Sequence, residues 1–137
     1  MFPSIIDRAA RFHAIYHRLP EIAVRAPGRI NLIGEHVDYE EGLVMPAAID
    51  RYVFADAAVN DGKEIRLWST AGEGAPLRIP LAELAPRHGA EAWANYPVGV
   101  VAKYRDAGVA VRGFDVAFDA TLPLGAGLSS SAALEMA

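Results

Sequence analysis

Near its carboxyl end the chain carries Pro123-Leu124-Gly125-Ala126-Gly127-Leu128-Ser129-Ser130-Ser131-Ala132-Ala133. Glycines let backbone amides approach a phosphate closely, and a helix amino terminus adds unpaired N–H donors and a favourable dipole. The serines that open the expected helix supply hydroxyls suited to phosphate oxygens or to a magnesium ion, which keeps most of its waters and takes few protein ligands. The stretch lacks the Lys-Ser/Thr ending of a P-loop. It meets the dinucleotide pattern only in part, because Ser130 stands at the third glycine. No glycine follows two residues after Ser129 or Ser130, as a serine-hydrolase elbow requires. A purely structural reading stands beside the chemical one: Gly125 and Gly127 make a tight turn and Ser129 caps a helix. Capping needs a single hydroxyl, so the run of serines favours phosphate binding.

A second stretch, Ala26-Pro27-Gly28-Arg29-Ile30-Asn31-Leu32-Ile33-Gly34-Glu35-His36-Val37-Asp38-Tyr39, gathers ionisable groups between glycines. The carboxylates of Glu35 and Asp38 are strong acceptors for sugar hydroxyls, and His36 can donate or accept. A site that pairs each hydroxyl with a fixed polar group rejects analogues that leave one unpaired. Arg29 is a permanent cation able to hold a carboxylate or a transferring phosphoryl group. Other readings compete. Glu35, His36 and Asp38 as metal ligands are disfavoured, since adjacent side chains rarely converge on one ion. A solvated loop, or a structural Arg29–Glu35 pair of little energetic weight, fits equally well. Taken alone, the segment leaves these readings open.

The elements that must position these groups are legible in outline. Ser4 with Asp7 three residues on caps a first helix, in which Ile5, Ala9, Phe12, Tyr16 and Leu19 recur at helical spacing up to Pro20. Ile22 to Arg25 reads as a strand leading into a loop at Pro27-Gly28. β-like sequence resumes at Leu43 and runs to Val59. Asn60-Asp61-Gly62 then reads as a hairpin turn, with Ile65 and Leu67 on the return strand. A second helix is expected over Pro97 to Ala107, closed by Gly108, with Val100, Val101 and Tyr104 facing the core. Phe114, Val116, Phe118 and Ala120 alternate with Asp115, Ala117 and Asp119, the pattern of a half-buried strand. There is no internal repeat or linker, and one α+β domain over residues 1–137 is the economical organisation.

Composition narrows the partners. With 137 residues, 53% apolar and 22% charged, the chain is long enough for one real core and unlike a disordered segment. A net charge of -4 argues against a broad nucleic-acid surface. The absence of cysteine removes disulfides and thiolate metal sites. There is no long apolar run for a membrane span and no signal-peptide stretch, so the expected compartment is the cytoplasm. The last helix, starting near Ser129, runs out at Leu134-Glu135-Met136-Ala137 without glycine, cationic last turn or proline. The expectation is a piece of a longer protein.

Taken together, the two segments resemble a known family. Residues 26–48 closely resemble the galactokinase signature, and residues 123–135 resemble the second, ATP-binding motif of the wider GHMP kinase superfamily. Trp93-Ala94-Asn95-Tyr96 between them is also similar to galactokinases. The resemblance implies a mixed β-sheet backed by helices, the GHMP-kinase amino-terminal domain in incomplete form. It matches Arg29 to the arginine that stabilises the transition state and orients the catalytic aspartate. Glu35, His36, Val37 and Asp38 match sugar-contacting positions. Gly125, Ala126, Gly127, Leu128, Ser129, Ser130 and Ser131 match the phosphate-cradling loop, Ser131 being its magnesium-binding serine. Trp93 matches the neighbourhood of the adenine pocket, with a core tryptophan as an equal alternative. Ser69 is a weaker match to a nucleotide-contacting hydroxyl, against a plain strand-end serine.

Departures are Glu40, where galactokinases commonly have asparagine, and Pro97 at a helix start. The family's catalytic aspartate and magnesium-binding glutamate fall downstream of the second motif, past Ala137, and neither Asp115 nor Asp119 substitutes for that base. The implied full-length reaction is ATP- and Mg2+-dependent phosphorylation of the anomeric hydroxyl of galactose or a close analogue. This chain alone is expected to be inactive. It is expected to expose apolar surface for the missing carboxy-terminal part or for self-association. Two rivals remain: a non-catalytic sugar- or nucleotide-sensing relative, and a nicotinamide-dependent oxidoreductase that uses the glycine loop as a Rossmann turn.

Overall fold

The computed structural model of the chain describes residues 3–34, 40–72, 74–123 and 127–137. Helix α1 spans Ile5–Tyr16, and its start is the expected capping box: the Asp7 N–H donates to Ser4 Oγ at 3.1 Å and the Asp7 carboxylate reaches back to Ser4. That pairing holds the Asp7 carboxyl below its usual value. The helix stops earlier than Pro20, with His17 in the left-handed region at φ 59°. Its buried face is Arg8, Phe12 and Tyr16, whereas Ile5 and Leu19 are exposed. Arg8 is buried because Nε donates to Asp56 at 2.9 Å and the guanidinium lies over the Phe54 ring. A charge can take a core position when it is paired in this way.

Strands β1 (Ile22–Ile33), β2 (Met45–Val59), β3 (Glu64–Ser69), β4 (Leu77–Pro80) and β5 (Phe114–Ala120) form one sheet in the order β1-β2-β5-β3-β4. All neighbours are antiparallel except β3 and β5. Helices α2 (Asn95–Asp106) and α3 (Ser130–Met136) cover one face and α1 the other. The mixed sheet backed by helices is therefore borne out. Among the described residues no helix is long and apolar enough to cross a membrane.

Within the sheet, three readings change. Pro27-Gly28 lies within β1 rather than in a loop, at a register shift between Pro27 and Arg29. An edge strand tolerates a proline that cannot donate to a ladder. Asn60-Asp61-Gly62 does not close a hairpin, because β5 inserts between β2 and β3. The insertion is close: a Cβ on Gly113 would lie 2.2 Å from the Gly62 carbonyl, and the Asn60 N–H donates to the Gly113 carbonyl at 2.9 Å. Finally, β5 is buried on both faces, since α1 covers the face carrying Asp115 and Ala117.

Asp115 is 0% exposed. It accepts from Asn60 Nδ2 at 2.8 Å, Arg66 Nε at 2.6 Å and Arg18 Nη2 at 2.7 Å. Burial alone raises a carboxyl's pKa, but these donors hold this one below its usual value. Beside it the Tyr16 hydroxyl donates to the Val116 carbonyl at 2.8 Å, and burial followed by the Asp115 charge pushes that phenol well up.

Helix α2 begins two residues earlier than expected, and Pro97 falls in its first turn, where an N–H has no intrahelical acceptor and its loss costs little. Gly108 follows the end at φ +84°. The core face is Val98 with Val101. Val100 is half-buried, and Tyr104 is 58% exposed rather than facing the core.

Candidate functional site

Leu128, on the carboxyl side of β5, meets β1. The Arg29 N–H donates to the Leu128 carbonyl at 3.2 Å. Gly28 makes this approach feasible: a Cβ there would lie 2.4 Å from Leu122 Cδ2 and 3.0 Å from the Leu128 carbonyl. The absent side chain is what allows the two segments, far apart in sequence, to touch. Arg29 is exposed, and among the described residues its guanidinium has no hydrogen-bond or ion-pair partner. Glu35, His36, Val37 and Asp38 lie outside the described residues, as do Gly125 and Ala126 of the glycine loop.

A cleft of about 260 Å³ opens beside this junction. Its walls are mainly apolar, from Val53, Trp93, Tyr96, Phe118, Leu122 and Leu134, and its polar rim includes Ser69, Asp119, Ser130 and Ser131. Trp93 is half-buried and stands edge-on to Phe118 with ring centroids 6.1 Å apart. It packs against the core, as the structural reading has it, and one side of it also lines the cleft. Ser69 ends β3, and its Oγ accepts the Ala71 N–H at 3.2 Å, leaving the hydroxyl proton available to a ligand. Ser129 sits at φ 57° and makes no side-chain capping bond to α3, so its hydroxyl is not used as the structural reading required. Gly127 also has positive φ, +69°. Helix α3 starts at Ser130, one residue later than expected.

The structure thus brings Ser69, Trp93, Ser130 and Ser131 to one cleft, and it sets Arg29 and Leu128 in contact beside it. Tyr96, Phe118 and Asp119 also line the cleft without having been singled out as site residues. Tyr96 had a signal, since it closes the Trp93-Ala94-Asn95-Tyr96 stretch. Phe118 and Asp119 were legible only as alternating strand residues. An apolar slot rimmed by hydroxyls suits a purine base and its phosphates. The Ser131 hydroxyl oxygen is of the hard-donor type that magnesium accepts. A magnesium ion keeps most of its waters and phosphate oxygens and needs few protein ligands, so a single serine hydroxyl is compatible with it.

Comparison with known proteins decides between the families this site admits. Residues 10–59 match the galactokinase galactose-binding signature, and residues 95–137 match the GHMP kinases N terminal domain. The galactokinase of Streptomyces coelicolor is 44% identical over 126 residues, covering 92% of this chain and 32% of that protein.

The chain belongs to the galactokinase family of GHMP kinases.

Human galactokinase is 43% identical over 123 residues, covering 86% of this chain and 31% of that protein. The crystal structure of Lactococcus lactis galactokinase complexed with galactose superposes with a TM-score of 0.84 at 31% identity, over 97% of this chain and 35% of that one. A mevalonate kinase at 19% identity shares the fold, with a TM-score of 0.68 over 85% of this chain and 38% of its own. The chain spans about a third of the length of the curated galactokinases it matches. The galactokinase match, together with a sheet in which only β3 and β5 run parallel, also counts against the Rossmann reading of the glycine loop.

Proposed function

We propose that the cleft binds ATP and that the chain supplies the nucleotide side and part of the sugar side of an enzyme that transfers the ATP γ-phosphoryl group to the anomeric hydroxyl of galactose. One observation carries this reading: Ser69, Trp93, Ser130 and Ser131, from separate stretches of sequence, line a single cleft. The apolar walls hold the base, and the serines face the phosphates. Ser131 contributes an oxygen to magnesium, which when bound offsets phosphate charge. Arg29, exposed next to the loop and unpaired among the described residues, is placed to meet negative charge that develops on the transferred group. Glu35, His36, Val37 and Asp38 are the proposed sugar contacts, on the strength of the family match over residues 10–59.

The chain alone is proposed to bind ligand without turnover, as one domain of a larger cytoplasmic enzyme. Among the described residues, the acidic group lining the cleft is Asp119, and it is tied to Arg11 and Thr70. Asp115 is buried between arginines on the other face. Neither is placed to take a proton from a sugar hydroxyl. Exposed Leu32, Ile33, Leu43 and Met45 support association with further chain or with a second copy. Calorimetric titration with galactose and with MgADP tests the reading. Binding of both is expected, and binding of neither would remove it.

A further inference from the structure

Thr70, Ala71 and Gly72 form the exposed turn that leaves β3, and Ala71 and Gly72 line the cleft. Small exposed residues have little packing to hold them in place, so the fixings of this turn are polar. The Ala71 N–H donates to Ser69 Oγ at 3.2 Å and the Gly72 N–H to the Ser69 carbonyl at 3.1 Å. Those bonds set the turn's own shape. Its attachment to β5 runs through Thr70, whose N–H donates to the Phe118 carbonyl at 3.1 Å, one residue past the last β3–β5 register pair, Ser69 with Phe118; the Trp68 indole of β3 holds the following Gly74 carbonyl at 3.2 Å. The Thr70 hydroxyl then donates to Asp119 Oδ1 at 3.2 Å.

Asp119 is held in turn. Its Oδ1 accepts the Ala120 N–H at 2.8 Å, and its Oδ2 pairs with Arg11 Nη1 of α1, on the far side of the sheet from α2. The side chain is 15% exposed. Both carboxylate oxygens are therefore engaged by protein donors, which makes Asp119 an anchor for the turn rather than a ligand contact.

We propose that Asp119 is a positioning residue for the nucleotide side of the cleft. Arg11 holds Asp119, Asp119 holds Thr70, and Thr70 sets where the Ala71–Gly72 wall stands opposite Trp93. This rests on the nucleotide reading of the cleft given above, and it adds a link from α1, which does not line the cleft, to nucleotide affinity.

The test uses the 137-residue chain with MgADP as the probe. Thr70→Val and Asp119→Ala are expected to weaken MgADP binding about 3- to 10-fold, the range for loss of one net hydrogen bond, with galactose binding unchanged. Thr70→Ser restores the hydroxyl and is expected to restore affinity, which a general loss of stability would not explain. Unaltered MgADP affinity in Thr70→Val would overturn the proposal. Amide hydrogen exchange supplies a readout independent of ligand: Asp119→Ala is expected to speed exchange at Thr70 by about 10-fold and leave Leu67 unchanged. Unchanged exchange at Thr70 overturns the proposal whether or not nucleotide binds. If the unaltered chain binds no MgADP, the nucleotide reading falls, and exchange at Thr70 still decides whether Asp119 fixes the turn.

Discussion

The Arg29 N–H and the Leu128 carbonyl share a hydrogen bond of 3.2 Å, so the segment matched to sugar binding and the segment matched to phosphate binding are joined directly through backbone. Arg29 cannot shift without moving the residue that leads into Ser129, Ser130 and Ser131. The contact requires a residue without a side chain at position 28, because a Cβ there would meet Leu122 and the Leu128 carbonyl.

Gly28→Ala is accordingly expected to destabilise the chain by roughly 1–3 kcal/mol, the cost of overpacking a tight contact. It should also displace the loop it presses on. Denaturant unfolding gives the first quantity. Amide chemical shifts at Leu128 through Ser131 report the second, and unchanged shifts there would mean that the close approach does not set the loop.

Asp115 predicts a pH dependence of stability. Its folded pKa is depressed, below an unfolded value near 3.9. Its contribution is therefore complete above about pH 5 and is lost as pH falls through the folded value. Asp115→Asn removes the charge facing Arg18 and Arg66 and is expected to cost roughly 2–4 kcal/mol at neutral pH. Thermal unfolding across pH 3 to 7 should show the acid-side slope of the unaltered chain reduced in the variant.

Ser131→Ala should weaken MgADP binding while leaving magnesium-free ADP binding nearly unchanged, because only the metal-linked contact is removed. Calorimetry with and without magnesium separates the two. Equal losses in both conditions would assign the Ser131 hydroxyl to phosphate rather than to the metal.

Galactose-1-phosphate is expected not to form at an enzyme-like rate when the chain is incubated with MgATP and galactose. A coupled assay for ADP release, with product identified by mass spectrometry, checks this. Sustained turnover would show that a proton acceptor for the sugar hydroxyl exists within these residues.

The sequence made the capping box at Ser4 and Asp7 legible because its chemistry is local and its partners are three residues apart. The strand cores of β2, β3 and β5 were legible for the same reason, through short apolar periods. What local pattern does not contain is which strands become neighbours. Asn60-Asp61-Gly62 carries good turn chemistry, and the Gly62 N–H does donate to Asn60 Oδ1 at 2.9 Å. Only the insertion of β5, made feasible by Gly113, converts that turn from a hairpin into a crossing. Asp115 misled in the same way: an acidic residue alternating with apolar ones reads as a solvent face until Arg18 and Arg66 arrive from elsewhere to neutralise it. In the site, the glycine and serine stretch announced itself, whereas Asp119 did not, because its importance lies in Thr70 and Arg11, which are distant in sequence.

The central claim is that one cleft, between the end of β3, Trp93 and the start of α3, receives the nucleotide. The most direct measurement is a residue-resolved NMR titration of the chain with MgADP. The account predicts saturable shifts at Ser69, Ala71, Ser130, Ser131 and the Trp93 indole, with little change at Val100 and Tyr104 on the outer groove of α2. Shifts centred on that outer groove, or none at the five cleft positions at saturating nucleotide, would contradict it.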